Sequence, residues 1–260
     1  MTKVVILCAG QGTRLRPLTD SIPKGMVPLL GKPMLFHQLE AIEAAGVEDV
    51  SLVTGYAAET LEGVGTHHFH NERFADTNMV VSLFCASPLF DGTENLIIAY
   101  SDIVYEPRIL EALIAAPGPL ATVIDRNWLA LWRERMPDPL ADAESLKLNP
   151  DGTLLEIGQR AASLADIEGQ YIGLTKVSPA AQRNVLAFYD NLDRNAQYAG
   201  RSFDQMFMTE FLTRLIAAGF PIHAAAVESG WLETDTLEDL QKYEALAARG
   251  ELTQFWRPAE

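Results

Sequence analysis

Two closely spaced glycines followed by cationic side chains form the most informative segment of this sequence. Gly10 and Gly12 come directly after a short apolar run, and Arg14 and Lys24 follow them. Glycines at the end of a buried strand let the backbone approach an anion and point several N–H groups at it. Arg14 and Lys24 can then bind its charge, so the segment predicts a site for a small polyanion.

The distribution of charge supports a small anionic ligand. Residues 1–32 carry five basic side chains against a single acid, Asp20, whereas the whole chain has 20 Lys and Arg against 35 Asp and Glu. The resulting formal charge of −15 excludes a general nucleic-acid binder, because such a protein needs basic surface over most of its footprint. A local cluster of positive charge on an acidic protein suits a small polyanion, because a large polyanion would be repelled by the surrounding negative surface.

Composition and length indicate a folded globular protein. The 260 residues are 48% hydrophobic and 21% charged, which excludes disorder as the main state. The start of the sequence lacks the length and cleavage site of a secretory signal, and no apolar stretch is long enough for insertion into a membrane. Cys8 and Cys85 are too few for a disulfide framework and are expected to be buried free thiols. We therefore expect a cytoplasmic protein.

The elements that must position the glycine segment alternate between strands and helices. Apolar runs predict strands over 3–8, 50–54 and 95–101, and helical spacing predicts a helix over 33–45. Helical patterns lie between these strands. Strands separated by helices predict an α/β fold with a doubly wound, mostly parallel, Rossmann-like sheet. Ligands bind such sheets at the carboxyl ends of the strands, where the glycines and Asp102 fall.

The second half of the chain has a different pattern. The turn sequence Asn149-Pro150-Asp151-Gly152 predicts a small inserted β-hairpin between 145–149 and 153–157. Further strands are predicted over 170–177 and 222–227, and helices over 180–192, 203–218 and from the capping residue Thr236 to Arg249.

The complete segment around the glycines is longer than a generic phosphate loop. It reads Leu7-Cys8-Ala9-Gly10-Gln11-Gly12-Thr13-Arg14-Leu15-Arg16-Pro17-Leu18-Thr19 and continues to Pro23-Lys24. It lacks the third glycine of the dinucleotide fingerprint, and no Gly-Lys is followed by Ser or Thr as in a P-loop. The segment resembles the signature of the nucleotidyltransferase superfamily, L-A-A-G-x-G-[ST]-R-L-x-P-L-T followed by P-K. Only Cys8 departs from it.

Further segments narrow this resemblance. They are Phe74-Ala75-Asp76-Thr77-Asn78, Ser82-Leu83, Tyr100-Ser101-Asp102, Tyr171-Ile172-Gly173 and Trp231-Leu232-Glu233-Thr234-Asp235, ahead of Glu238-Asp239-Leu240. Together they are similar to the bacterial CTP:phosphocholine cytidylyltransferases. The resemblance implies a Mg²⁺-dependent enzyme that joins CTP to phosphocholine, or to a similar small amino-alcohol phosphate or phosphonate, and releases pyrophosphate. A sugar-1-phosphate nucleotidyltransferase and an inactive nucleotide-sensing protein are the alternatives, because one fold serves several functions.

The resemblance also implies catalytic roles for charged residues. Two anions meet in such a reaction, so catalysis is mainly charge neutralisation and alignment. Arg14 and Lys24 would bind the β- and α-phosphate oxygens, with Lys24 acting on charge that develops in the transition state. Asp102 and Asp235 would hold Mg²⁺, with Glu233 as a third ligand, because this ion prefers carboxylate oxygens. Turn or helix-capping duty is the alternative for both aspartates.

The nucleotide pocket is expected where the first strands end. Its predicted residues are Leu7, Ala9, Gly10, Gln11, Gly12, Thr13, Arg14, Lys24, Thr54, Gly55, Tyr56, Asn78, Ser82 and Ser101. The Asn78 amide can read the edge of cytosine or cap the helix that follows it. We expect one nucleotidyltransferase domain over 1–260, with nucleotide-binding residues in 1–136, acceptor-binding residues in 137–235 and a C-terminal helix over 236–260.

The acceptor pocket of these relatives resembles an aromatic box for a cation. A cation is best held by aromatic faces with an acid nearby, and the available aromatic residues are Trp128, Trp132, Tyr171 and Trp231. Trp128 and Tyr171 are the first candidates, and Glu168 is expected either to pair with the ammonium group or to be a solvated loop acid. Ordinary core packing is the alternative for both aromatic residues.

One departure from the relatives bears on the acceptor. Many of them carry a Lys near the position of Gln159, where it helps to hold the acceptor phosphate, whereas this sequence has Gln159-Arg160. Arg160 or Lys176 is expected to supply the charge, unless the acceptor differs from phosphocholine.

The histidines do not predict a metal site. His67, His68 and His70 lack the Cys or spaced His partner that would complete a zinc site. His37 and His223 fall in helix and strand patterns and are expected to be structural. The predicted partners are therefore a nucleoside triphosphate, with CTP favoured, and a small phosphorylated acceptor, while a homo-oligomer is left open.

Overall fold

The computed structural model describes residues 1–259 of the chain. This part contains fifteen strands and seven α-helices, joined by turns and short 3₁₀ helices. The strands are β1 (Thr2–Leu7), β2 (Pro28–Leu29), β3 (Lys32–Pro33), β4 (Asp49–Thr54), β5 (His67–His70), β6 (Asn95–Tyr100), β7 (Ile103–Tyr105), β8 (Leu120–Asp125), β9 (Glu144–Leu148), β10 (Leu154–Arg160), β11 (Gln170–Val177), β12 (Gln197–Tyr198), β13 (Arg201–Ser202), β14 (Ile222–Val227) and β15 (Trp231–Glu233). The helices are α1 (Met34–Ala44), α2 (Met79–Cys85), α3 (Pro107–Ala115), α4 (Trp128–Arg135), α5 (Pro179–Asp190), α6 (Met208–Ala217) and α7 (Leu237–Ala248). Over the same residues, none of the helices combines the length and apolar character needed to cross a bilayer.

A seven-stranded sheet with the order β14-β8-β11-β6-β1-β4-β5 runs through the fold. Strand β11 is antiparallel to both of its neighbours, and the other four pairs of strands are parallel. The predicted mostly parallel sheet is therefore confirmed. Parallel neighbours require crossover connections, and the chain makes them through helices on the two faces.

Both faces of this sheet are covered by apolar side chains. In β1, Val4 and Ile6 point into one hydrophobic cluster, and Val5 and Leu7 point into the other. Helices α1, α3, α4 and α7 contribute to the first cluster, and α2, α5 and α6 contribute to the second. A strand buried on both faces reads as a continuous apolar run, which is why β1 could be predicted from composition alone.

Several predicted elements are found close to their expected bounds, two differ, and one short strand was not predicted. The predicted helix over 203–218 is divided into a 3₁₀ turn, Phe203–Gln205, and helix α6, which starts at Met208. Strand β10 continues to Arg160, past its expected end at residue 157, with a register shift between Ile157 and Arg160. The three histidines of the 67–70 segment lie on the edge strand β5, which pairs with β4 and is largely exposed. A polar edge strand lacks the apolar alternation by which strands are recognised.

A short antiparallel pair brings the C-terminal part of the chain to the end of β6. Strand β15 pairs with β7, with Glu233 opposite Ile103, and the Thr234 N–H donates to the Asp102 carbonyl at 3.0 Å. Immediately afterwards, Thr236 caps helix α7 and its hydroxyl accepts from the Asp239 N–H. Asp235 is thereby fixed between a strand end and a helix start, beside Asp102.

Candidate active site

The glycine loop is shaped around Lys24. Gly12 has a φ of +69°, which favours glycine, and a Cβ at this position would lie 2.8 Å from Lys24 Cβ. The Gly12 carbonyl also accepts from the Thr19 hydroxyl at 2.9 Å. Gly12 is therefore required both by its backbone conformation and by the close approach of the lysine stem.

Lys24 joins the two aspartates that the sequence predicts as metal ligands. Its Nζ lies 2.6 Å from Asp102 Oδ2 and 2.6 Å from Asp235 Oδ1. Burial opposes the charge of Lys24, but the two carboxylates outweigh that effect and raise its pKa. The same interactions with Lys24 lower the pKa of Asp235 against the opposing effect of its burial. Lys24 is therefore held as a cation in direct contact with the two aspartates.

Two arginines complete the cluster around Asp235. Arg14 Nη2 lies 2.7 Å from Asp235 Oδ1, and the Arg14 side chain is 62% exposed, so it can turn toward a ligand. Arg135 is 2% exposed and contacts Asp235 Oδ2 at 3.1 Å, Glu233 Oε2 at 2.7 Å and Asp239 Oδ1 at 3.2 Å. Arg135 was not found from the sequence because a charged residue at a helix end is ordinarily solvated.

The carboxylates of the cluster differ in their fit to a divalent cation. Asp102 Oδ1 is a buried oxygen without a hydrogen-bond partner among the described residues, and such an atom suits a cation. Glu233 is held by Arg135, while burial and the neighbouring Asp235 raise its pKa. Within residues 1–259, no group of three or more His, Cys, Asp or Glu side chains is arranged to hold a metal ion. Glu233 and Asp235 both contact Arg135, and Asp102 alone has a buried oxygen without a partner among the described residues, so the predicted set of Asp102, Asp235 and Glu233 stays a prediction.

A cavity of about 140 Å³ opens beside the glycine loop. The predicted nucleotide-binding residues that line it are Leu7, Ala9, Gly10, Lys24, Asn78, Ser82 and Ser101, and Phe74, Thr77, Met79, Tyr100 and Asp102 complete the wall. Among the other predicted residues, Arg14 lines a second cavity, while Gln11, Gly12, Thr13, Thr54, Gly55 and Tyr56 lie outside both linings. Thr54 is buried and its hydroxyl contacts His70 Nδ1 at 3.2 Å, and the Tyr56 hydroxyl donates to the Asp20 carbonyl at 2.5 Å.

Asn78 caps helix α2. Its Oδ1 accepts from the Met79 N–H at 2.8 Å, and its Nδ2 lies 3.5 Å from the Gln205 carbonyl. Capping is therefore the role that the contacts of Asn78 show, although the residue also lines the cavity.

A second cavity of about 280 Å³, which we call the acceptor chamber, adjoins the first. It is lined by Arg14, Met79, Tyr100, Trp132, Asp142, Glu144, Gln170, Tyr171, Phe207, Thr209, Glu233 and Asp235. Met79 and Tyr100 border both cavities, and the Tyr100 and Tyr171 rings meet edge to face at 5.8 Å. The charged cluster of Lys24, Asp102 and Asp235 therefore lies where the two cavities meet.

Helix α4 supplies a different tryptophan to the chamber from the one predicted. Trp128 is 4% exposed and packs at 5.8 Å against Trp132, and Trp132 is the residue that lines the chamber. The Trp132 indole N–H donates to Asp142 Oδ2 at 3.0 Å. Trp128 does not line this cavity, in contrast to the expectation, and its role in acceptor binding stays a prediction. The two residues lie one helical turn apart on one face, so the packing of α4 decides which of them reaches the cavity.

The other predicted acceptor residues are separated. Tyr171 lines the chamber, whereas Glu168 lies outside its lining and bonds through its N–H to the Leu146 carbonyl at 2.9 Å. Arg160 lines a neighbouring cavity with Gln159. Lys176 is turned toward the end of α3, where its Nζ donates to the Ile114 and Ala116 carbonyls. Lys176 is therefore corrected to a structural role, because those carbonyls hold its ammonium group.

The glycine loop, the parallel sheet and the charged cluster between two cavities define an enzyme of the nucleotidyltransferase class. A MobA-like NTP transferase domain matches residues 4–152. The chain belongs to this family.

Relatives of known function support the assignment over nearly the whole chain. The CTP:phosphoglutamine cytidylyltransferase of Campylobacter jejuni is 38% identical over 246 residues, which cover 91% of this chain and 97% of that relative. The inositol-1-phosphate CTP transferase of T. maritima has a TM-score of 0.76 at 16% identity, covering 99% of this chain and 98% of that one. The CTP:phosphocholine cytidylyltransferase of Streptococcus pneumoniae has a TM-score of 0.69 at 20% identity, covering 95% and 99%. These two structural likenesses show the shared fold.

Proposed function

We propose that this chain is a cytidylyltransferase that transfers CMP from CTP to the phosphate of a small acceptor carrying an amine. The single observation that carries the proposal is the position of the charged cluster between two adjoining cavities. One cavity begins at the glycine loop and suits a nucleoside triphosphate, and the acceptor chamber lies on the other side of Tyr100. Two of the three named relatives act on phosphoglutamine and phosphocholine, which pair a phosphate with a cationic nitrogen group, whereas the third acts on inositol 1-phosphate.

The reaction forms one bond and breaks another at the α-phosphorus. An oxygen of the acceptor phosphate attacks this atom, the bond to the bridging oxygen of the β-phosphate breaks, and pyrophosphate leaves with the electron pair. Arg14 and Lys24 neutralise the charge on the β- and α-phosphate oxygens. Asp102 and Asp235 raise the pKa of Lys24, so the side chain meets the nucleotide as a cation.

Asp102 and Asp235 would hold Mg²⁺, which suits their oxygen ligands. The unpartnered Asp102 Oδ1 supports this assignment. Glu233 lines the acceptor chamber beside Asp235, and its burial and the negative charge of Asp235 raise the pKa of Glu233. When bound, the ion supplies positive charge to the phosphate oxygens. Arg135 contacts Glu233, Asp235 and Asp239, and its positive charge offsets the repulsion between these three carboxylates.

The acceptor chamber is suited to a cation. Its aromatic residues are Trp132, Tyr171 and Phe207, and its carboxylates away from the charged cluster are Asp142 and Glu144. Gln170 also lines the chamber, but its amide is bonded to the Glu144 backbone, accepting at 3.3 Å and donating at 2.6 Å. With Gln170 occupied, the chamber offers mainly negative charge and aromatic surface, which favours an amine over the hydroxyls of a sugar 1-phosphate.

A matrix of nucleotides against acceptors tests this proposal. Pyrophosphate release would be measured for CTP, UTP, dTTP, ATP and GTP with phosphocholine, phosphoglutamine and glucose 1-phosphate, each with and without Mg²⁺. We expect turnover with CTP and an amine-bearing acceptor, only when Mg²⁺ is present. Turnover confined to a sugar 1-phosphate would replace the proposal with its sugar alternative. Binding of CTP without pyrophosphate from any acceptor would identify a nucleotide-sensing protein.

A further inference from the structure

We infer that Glu144 and Arg160 form a subsite for the two charges of an amino acid, so that the acceptor is a phosphorylated amino acid and not phosphocholine. The inference rests on the proposed function and names its substrate class. Glu144 would bind the α-ammonium group, and Arg160 would bind the α-carboxylate.

The two side chains lie opposite one another in the hairpin of β9 and β10. Arg160 is the register partner of Glu144 in this antiparallel pair. Side chains of directly opposed residues project from the same face, with their Cβ atoms about 4.5–5.5 Å apart. Both residues line one cavity of about 260 Å³. An acid and a base are thus presented side by side toward the same space.

Glu144 and Arg160 do not form an ion pair with each other. The ion pair formed by the hairpin joins Lys147 Nζ to Asp166 Oδ1 at 3.2 Å, and in the described chain neither Glu144 nor Arg160 has an oppositely charged side chain within 4.0 Å. A cross-strand pair normally gains by contact. An acid and a base that face one cavity while remaining apart leave room for a ligand with both charges between them.

The hairpin is held in this position by helix α6. Gly158 has a φ of +78°, and a Cβ there would lie 2.5 Å from Thr209 Cβ, so the strand packs closely on the helix. The Ile157 carbonyl accepts from the Thr213 hydroxyl at 2.9 Å. The register shift between Ile157 and Arg160 falls at this contact and returns Arg160 to the position opposite Glu144.

The cavity of this pair adjoins the acceptor chamber. Asp142 and Glu144 line both, and Thr209 forms part of the chamber wall where β10 contacts α6. An acceptor whose phosphate lies at the Lys24 cluster can therefore extend through the chamber to the hairpin. A guanidinium group binds a carboxylate through two parallel hydrogen bonds, which gives selectivity for that end of the molecule.

Matched acceptors that differ by one carboxylate test the inference. The pairs are O-phosphoserine with phosphoethanolamine, and phosphoglutamine with phosphorylated 4-aminobutanamide. We expect kcat/KM with CTP and Mg²⁺ to favour the carboxylate-bearing member of at least one pair by about 10- to 100-fold, the value of a hydrogen bond to a charged group. Arg160→Gln should reduce this ratio toward one, Arg160→Lys should restore part of it, and the exposed Arg183→Gln should leave it unchanged.

Two results would overturn the inference by different routes. Equal kcat/KM within both pairs, or a preference that survives Arg160→Gln, would remove the subsite while leaving the cytidylyltransferase in place. Absence of pyrophosphate release with every acceptor would instead remove the proposed function, and the inference with it. Circular dichroism of each variant would show that the hairpin substitutions leave the fold intact.

Discussion

Lys24 Nζ and Asp235 Oδ1 lie 2.6 Å apart although 211 positions separate them in the sequence. The glycine loop that follows β1 is thus contacted by the segment that precedes helix α7. The ion pair forms only when the segments that carry Lys24 and Asp235 are both in place, so the charged cluster depends on the docking of the C-terminal region.

Replacement of Lys24 should reduce catalysis more than binding. Lys24→Gln removes the charge that stabilises the α-phosphate oxygens as the transition state forms, and we expect kcat to fall by about 10²- to 10³-fold. Lys32→Gln is the matched control, because Lys32 pairs with Glu40 on the surface. Steady-state pyrophosphate release measures both variants. A loss confined to the KM for CTP would show that Lys24 only binds the ground state.

The carboxylates can be tested by metal binding as well as by activity. Asp102→Asn removes the negative charge of the carboxylate whose Oδ1 has no partner among the described residues, and Asp235→Asn removes the charge that Lys24 and Arg14 share. We expect each variant to lose Mg²⁺-dependent turnover and to weaken the heat of Mg²⁺ binding in calorimetry with CTP present. The exposed Asp190→Asn serves as the control. Full Mg²⁺-dependent turnover in either site variant would remove that residue from the metal site.

The two tryptophans of α4 should differ in their effect on the acceptor. Trp132→Phe keeps an aromatic face but removes the indole N–H that holds Asp142, so the acceptor KM should rise by about tenfold, the effect of one hydrogen bond. Trp128→Phe changes a buried contact, and its expected effect is a lower melting temperature with the acceptor KM unchanged. Initial rates and thermal denaturation separate these outcomes. An acceptor KM that responds only to Trp128 would reverse our assignment.

The catalytic centre is better encoded in local sequence than the acceptor site. Arg14 and Lys24 belong to one contiguous segment, and Asp102 follows directly on a buried apolar strand, so spacing and element type were enough to place them. Trp132 and Glu144 depend on how α4 and a hairpin dock onto the sheet. Such docking is decided by packing between distant segments, which periodicity along one segment does not record.

Glu144 should make acceptor binding depend on pH. Burial raises the pKa of Glu144, hydrogen bonding to Thr209 opposes the shift, and Asp142 adds to it, with the net effect upward. An ammonium group requires the ionised carboxylate, so the acceptor KM should increase as the pH falls through this raised pKa, earlier than for an ordinary glutamate.

The acceptor phosphate also titrates, near pH 6, and its own effect must be subtracted. Glu144→Gln keeps the phosphate titration and removes that of the carboxylate, so the difference between the two profiles of KM against pH isolates Glu144. We expect the variant to have a raised KM at neutral pH and a flatter profile toward acid. The exposed Glu111→Gln should follow the unmodified enzyme. Parallel profiles for the unmodified enzyme and Glu144→Gln would mean that the carboxylate does not meet the acceptor, and the ammonium group would then have to be held by Asp142 and the aromatic residues alone.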